Sequence, residues 1–319
     1  MTEQGPAIGI DVGGTKTAAV LVGRDGAVLG RGLRPTPAED QRATLDTMVD
    51  LAGSLMTEGI VGVGIAAAGL VDLDGTMRYA PNLAWRDVPL ARFVGSALGV
   101  PAVADNDVNA AAWGEFRFGA GRDTRHMFMI TVGTGIGGGI VVDGMPYRGA
   151  HGFAAEVGHM VVQPGGPRCG CGNRGCWEQV ASGMAIMRAG RAAAARHPHS
   201  RLAQLSGGDP DAVTGTMVTE AARAGDTVSR GIFVEVGHAL GVGLASLVNV
   251  LDPELVVVGG GAARAGDLLL APARDAFRRT VEGVDHRPAV PIVEAGLGVD
   301  AGAIGAAALA FDLVGTTEA

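Results

Sequence analysis

All three cysteines of the 319-residue chain fall within eight residues, Cys169, Cys171 and Cys176 in PRCGCGNRGCWEQ. Three is odd, so no fully paired disulfide set exists, and C-x-C-x4-C spacing suits a metal ion better. A closed tetrahedral zinc site needs a fourth ligand, and histidine is the usual partner for three cysteines. His159 lies ten residues upstream, within reach if Pro164, Gly165, Gly166 and Pro167 turn the chain back. The competing reading is three reduced thiols in a glycine-rich loop. Glu156 and Glu178 bracket the cluster, so a metal there would also hold two carboxylates in place. With His159 they would offer acceptors to several adjacent hydroxyls, the pattern a sugar presents. Such a zinc would be structural, with no open coordination position for catalysis.

A second group of residues could do proton chemistry. Asn106-Asp107 closes a short apolar strand and opens a helix. An aspartate there is commonly just a helix cap. Phosphoryl transfer to an alcohol, however, needs a carboxylate to take the hydroxyl proton, plus positive charge and N–H donors around the moving group. Asp107 can supply the first. Lys16 is the only lysine among 25 basic residues, and it follows Gly13, Gly14 and Thr15 directly. A compact ammonium suits a phosphate oxygen better than the rigid arginine fork does.

Three glycine turns can supply the donors. DVGGTKT at 11–17 is not a Walker A loop, because Thr15 separates Gly14 from Lys16. A glycine-rich hairpin turn can still aim backbone N–H groups at a phosphate, and Asp11 at its rim could contact Mg²⁺ through water. GTGIGGG at 133–139 offers a like cradle from Gly133, Thr134, Gly135 and Gly138. Gly259, Gly260 and Gly261 follow a later strand but fail the dinucleotide fingerprint, since position 264 is Arg. Each turn alone is an ordinary tight turn; three at strand ends point to a nucleotide.

The elements that must carry these groups form a pattern. Residues 7–30 read as strand, Gly-Gly-Thr-Lys turn, strand and Asp25-Gly26 hairpin. Residues 128–149 repeat that plan about 120 positions later, which predicts two similar α/β halves facing a cleft. Helices are expected near 38–56, 89–98, 107–119, 181–197, 211–224, 227–250 and 300–313, strands at 59–71, 101–104 and 290–297, and a strand, glycine turn and helix over 252–270.

Composition narrows the class. Hydrophobic content is 47%, enough for a large core, and net charge is −8, which argues against a nucleic-acid partner. The start MTEQGPAIGI lacks a signal peptide's pattern, so a cytoplasmic location is expected. The apolar stretch 231–251 carries Glu235, His238 and Asn249, so a buried core helix is expected there rather than a membrane span.

The motifs GIDVGGTKTA at 9–18, APNLAW at 80–85, DNDVNAAAWGE at 105–115, GTGIGGGIV at 133–141, EVGHM at 156–160 and CGCGNRGCWE at 169–178 resemble the ROK family of sugar kinases, most closely its bacterial, actinobacterial-type glucokinases. The resemblance runs over nearly the whole chain. It implies two actin-like, ribonuclease H-like α/β domains of the hexokinase/Hsp70/actin superfamily flanking a cleft. One would be small (1–115 plus 300–319); the other would be large (116–299) and dimerise, giving a homodimer or homotetramer. It implies glucose and ATP as substrates, and Asp107 as base for the sugar 6-hydroxyl. Asn82, Asn106, Glu156, His159 and Glu178 would bind sugar. His159, Cys169, Cys171 and Cys176 match the family's Zn²⁺ ligands, and the loops at 11–16, 133–139 and 259–261 its MgATP contacts. The chain departs from the family at Ala68-Gly69-Leu70-Val71-Asp72, where many members have Pro-Gly-Pro-Val-Asp in a loop that approaches the sugar.

Other readings compete. N-acetylmannosamine, N-acetylglucosamine, mannose and fructose kinases share these motifs, and polyphosphate could replace ATP. ROK regulators use the same fold as a sugar sensor behind a winged-helix domain; the first glycine turn at residue 13 leads us to expect none here. A zinc-stabilised interaction protein would explain the cysteines but neither Asp107 nor the glycine turns.

Overall fold

The computed structural model describes residues 5–315. The first strand, β1 (Ala7–Val12), is buried along nearly its whole length, which requires cover on both faces of its sheet. It pairs antiparallel with β2 (Lys16–Val22), which pairs with the edge strand β3 (Val28–Pro35). After α1 (Gln41–Gly53), β4 (Val63–Ala67) returns parallel to β1. A small three-stranded sheet then forms from β5 (Leu70–Val71), β6 (Met77–Tyr79) and β7 (Arg86–Val88). Helix α2 (Leu90–Leu98) leads to β8 (Ala102–Asn106), parallel to β4, and β8 runs directly into α3 (Asp107–Phe118).

The second copy of the meander is β9 (Met127–Val132), β10 (Ile136–Val142) and β11 (Met145–Pro146). The cysteine-containing loop follows, then α4 (Glu178–Ala181), α5 (Gly183–Arg196), α6 (Arg201–Leu205), α7 (Gly215–Arg223) and α8 (Thr227–Leu251). The chain ends in β12 (Leu255–Gly259), α9 (Asp267–Thr280), β13 (Ile292–Glu294) and α10 (Ala301–Gly315). The five-stranded sheets have orders β3-β2-β1-β4-β8 and β11-β10-β9-β12-β13. Each is a meander extended by two later strands, and the repeated meander is what the sequence predicted. The fold is α/β of the actin-like class.

Packing divides the chain into two compact units. One runs up to Met129 and adds Gly138–Ala155 and the segment from Ala295 onward; the other holds Ile130–Gly137 and Glu156–Glu294. The cut read from the sequence lay after residue 115; packing keeps α3 and the residues up to Met129 in the first unit.

In the first unit, α10 covers one face of the sheet. A Cβ at Gly9 would lie 1.7 Å from Ala303 O, and one at Gly64 1.7 Å from Ala306 O. Two glycines on adjacent strands therefore let an alanine-rich helix sink onto the sheet, closing it over Ala7, Val20, Ile304 and Phe311. The other face packs Ile8, Ile10, Ile65, Met48, Leu51 and Trp85 with α1 and α2. In the second unit α8 is long and apolar enough to cross a membrane by composition alone. Its buried residues, among them Phe233, Leu240, Leu244 and Val248, pack into protein, and its Gly243 lies against the buried Trp177 ring. Trp177 Nε1 donates to Ala239 O at 2.9 Å.

Candidate functional site

In the first unit the polar groups gather at the strand ends of β1 and β8. The β1–β2 turn closes with Gly13 N donating to Lys16 O at 3.1 Å. Thr15 and Lys16 are exposed. A Cβ at Gly14 would lie 2.9 Å from Asn82 O, so the Asn82 loop rests on the turn and only glycine fits beneath it. Asp11 stands at the β1 end beside the start of α10, where Gly302 approaches its carboxylate. Burial and then the Asp107 charge push the Asp11 carboxyl up to about 7; Lys16 opposes this and Asp300 adds to it. A carboxylate in that position favours a nearby cation, which fits the expected Mg²⁺ contact.

Asp107 is not the cap of α3. Asn106 caps the helix, its Oδ1 accepting from Val108 N at 2.8 Å and Asn109 N at 3.1 Å. Asn106 Nδ2 also donates to Gly69 O at 3.1 Å, tying down the loop that departs from the family pattern. Asp107 follows the cap in the first helical turn. Burial holds its proton affinity above the usual carboxylate range. The N–H groups of Val108 and Asp107 and the Asn106 side chain pull it down, and Asp105 pushes it up.

In the second unit the metal cluster assembles. One donor atom each from His159, Cys169, Cys171 and Cys176 lies within 4.8 Å of all the others. Cys171 and Cys176 Sγ are 3.6 Å apart, and Cys169 Sγ is 3.7 Å from His159 Nδ1. Zinc–sulfur bonds of about 2.3 Å in a tetrahedron put ligand sulfurs about 3.8 Å apart, so the set fits Zn²⁺. Burial and a hydrogen bond to Glu178 push the Cys169 thiol up to about 12; a divalent cation is what would let this thiolate set form near neutral pH.

The same cluster aims its neighbours. Glu178 Oε1 accepts from Cys169 Sγ at 3.0 Å and lies 3.9 Å from His159 Nδ1. The other ring nitrogen, His159 Nε2, is 3.9 Å from Glu156 Oε2. His159 therefore turns Nδ1 to the thiols and Nε2 to a carboxylate. Glu178 also reaches the second glycine turn, where a Cβ at Gly135 would lie 2.3 Å from its Oε2. In that turn Gly133 N donates to Gly135 O, and Gly183 N, at the start of α5, donates to Gly133 O at 2.8 Å. Thr134 is exposed at its tip. Gly138 is buried inside β10, past the turn.

Gly259 ends β12, and Gly260 follows with φ of 90° against the Val132 backbone, where a Cβ would lie 2.6 Å from Val132 O. Next to Gly261 opens a cavity of about 490 Å³ lined by Gly183, Thr216, Thr219, Arg223, Gly261 and Arg264 among others. The sequence reading missed the α7 residues Thr216 and Thr219, whose spacing on one helix face carries no motif. It also missed Asp300 beside Asp11 and Arg148 beside Asp105, partners distant in sequence.

Comparison with known proteins bears on these groups. The chain matches the ROK family over residues 7–312. It is 42% identical over 310 residues to a glucokinase of Streptomyces coelicolor, covering 96% of this chain and 98% of that one. The structure of a ROK family glucokinase from Streptomyces griseus with glucose and AMPPNP superposes with a TM-score of 0.86 at 43% identity, covering 96% and 99% of the two chains. A putative xylose repressor of Caldicellulosiruptor is 35% identical over 278 residues, spanning 85% of this chain and 69% of the repressor. A match across nearly all described residues, with the repeated meander and the cysteine cluster in place, makes this chain a member of the ROK family.

Proposed function

We propose that the chain is an ATP-dependent glucokinase, transferring the γ-phosphoryl group of MgATP to the 6-hydroxyl of glucose. The observation that carries the chemistry is Asp107: a carboxylate at a strand-to-helix junction, following the Asn106 cap and raised in proton affinity. The similarity to the two Streptomyces glucokinases supports the choice of sugar and donor.

Asp107 takes the proton of the 6-hydroxyl as its oxygen attacks the γ-phosphorus, and the bond to the β-phosphate oxygen breaks to release ADP. Asn106, Asn82, Glu156, His159 Nε2 and Glu178 hold the sugar hydroxyls. The turns at Gly13–Lys16, Gly133–Gly135 and Gly259–Gly261 receive the phosphates through backbone N–H groups, with Gly138 supporting the second from β10. The cavity beside Gly261 suits the nucleoside. Asp11 would hold the Mg²⁺ that accompanies ATP, whose charge offsets that of the phosphates. His159, Cys169, Cys171 and Cys176 would hold Zn²⁺ as a closed structural set that fixes Glu178 and the histidine ring. The two domains would follow the packing units, with the small one extending past residue 115 to Met129. The enzyme works in the cytoplasm as a homodimer or homotetramer.

The test is sugar 6-phosphate formation with glucose, mannose, fructose and the two N-acetylhexosamines, using MgATP, whose ADP release is followed, and then polyphosphate as donor. Glucose should exceed every other sugar. Preference for another hexose would move the specificity to the loops at Gly69 and Asn82. The likeness to the xylose repressor favours one second reading, a sugar-sensing regulator; binding of sugar without ADP release would support it.

A further inference from the structure

Asp105 lies two residues before Asp107 at the end of β8, almost wholly buried. Its Oδ1 accepts from Asn106 N at 2.7 Å and from Asn109 Nδ2 at 3.1 Å. Both donors belong to the junction that presents Asn106 and Asp107. Its Oδ2 stands 2.7 Å from Arg148 Nε. Neither of those two atoms is reached by water, and neither has an aligned hydrogen bond. At that end the attraction of opposite charges offsets part of the cost of burial, which still raises the proton affinity of Asp105. A carboxylate so placed is costly unless paired, and nothing in the proposed proton transfer uses it.

Arg148 brings a second constraint. It follows β11 in the stretch that runs on to Glu156, eight residues later. That stretch is fastened at two further points. Ala154 N donates to Arg148 O at 3.1 Å. The backbone at Gly152 sits so close to β5 that a Cβ would lie 2.5 Å from Val71 O. Arg148 thus ties the segment leading to one sugar-binding carboxylate to the strand end that carries the base.

We propose that the buried Asp105–Arg148 ion pair is a positioning pair for phosphoryl transfer, holding the β8–α3 junction so that Asp107 meets the sugar hydroxyl. This rests on the reading of Asp107 as the base. The pair touches neither sugar nor nucleotide. Its contribution belongs to kcat, because misplacing a base by a fraction of an ångström weakens the transition state while leaving nucleotide affinity intact.

The experiment is steady-state kinetics of the full-length enzyme with glucose and MgATP for wild type, Arg148→Met, Arg148→Lys, Asp105→Asn and the double variant Asp105→Asn/Arg148→Met. Folding and zinc content are checked for each. Asp105→Asn keeps an oxygen for the Asn106 and Asn109 donors, so it guards against simple unfolding. Arg148→Met should lower kcat by about tenfold or more, with KM for MgATP nearly unchanged. Arg148→Lys, which keeps a cation against Oδ2, should recover most of it. The double variant should lose less than the product of the single losses, because it leaves no unpaired buried charge. Multiplicative losses, or losses matching the unfolded fraction, would overturn the pair's role. A rise in KM for glucose at constant kcat would overturn it too, by making Arg148 a sugar contact. Wild type inactive with every sugar would sink the kinase reading itself, whereas an active wild type with an unimpaired Arg148→Met variant sinks the pair alone.

Discussion

A carboxylate serves as a base only while ionised, so with Asp107 as the proposed base its environment sets the pH at which turnover is lost. Burial raises its proton affinity above the ordinary range, and Asp105 adds to that; neighbouring N–H groups only partly offset the shift. Protonation removes the base, so kcat/KM should fall as pH drops, with the midpoint above the normal aspartate value of about 3.9. A profile flat down to about pH 4 would mean that Asp107 is not the group being titrated. The proposed base stood out in the sequence because Asn106 and Asp107 are adjacent and their strand and helix patterns meet there. That Asn106 caps the helix needed coordinates, since the cap shifts by one residue between equally plausible readings. Asp300 beside Asp11 was invisible for a different reason: the two are brought together by α10 folding back on β1, and no local pattern records that.

The loop that carries the His159–Cys176 cluster shows how an element can be specified by few residues. Among the described residues it contains little regular structure, only a short 3-10 turn at Val157–His159 and isolated bridges such as Val161 to Cys176. Its order rests on the four ligands. Cys171→Ser should therefore release most of the bound zinc, lower the thermal midpoint by roughly 5 °C or more, and raise KM for glucose as His159 and Glu178 lose their anchor. Full zinc content in that variant would remove the site. All four ligands lie within eighteen residues, so the sequence displayed the set almost complete. The small sheet β5-β6-β7 did not show, because strands of two or three residues are too short for alternation to register. Likewise GTGIGGG reads as one loop, yet the strand resumes at Ile136 and buries Gly138.

At the scale of the whole molecule, the repeated meander gave away the architecture: two five-stranded sheets of the same order, about 120 residues apart in the chain. What the repeat could not show is how the chain crosses between packing units, with Gly138–Ala155 joining the first unit and the neighbouring segments the second. Global stability should register the buried Asp11 carboxyl. Its carboxyl rises from 3.8 to about 7 on folding. Between those values the folded state keeps a proton that the unfolded chain has released, so stability is full below 3.8 and declines as pH rises through about 7. In the ligand-free protein, Asp11→Asn should raise the thermal midpoint by several degrees at about pH 8 and change it little at about pH 4. Equal shifts at both pH values would show that Asp11 is not held protonated by the fold.

The most direct test compares ADP release from MgATP and glucose by wild type and Asp107→Asn, with matched folding and zinc content. The wild type should turn over in a glucose-dependent way, and the variant's kcat should be lower by about 10²–10⁴-fold with KM for MgATP nearly unchanged. Undiminished turnover by Asp107→Asn, or no ADP from the wild type, would contradict it.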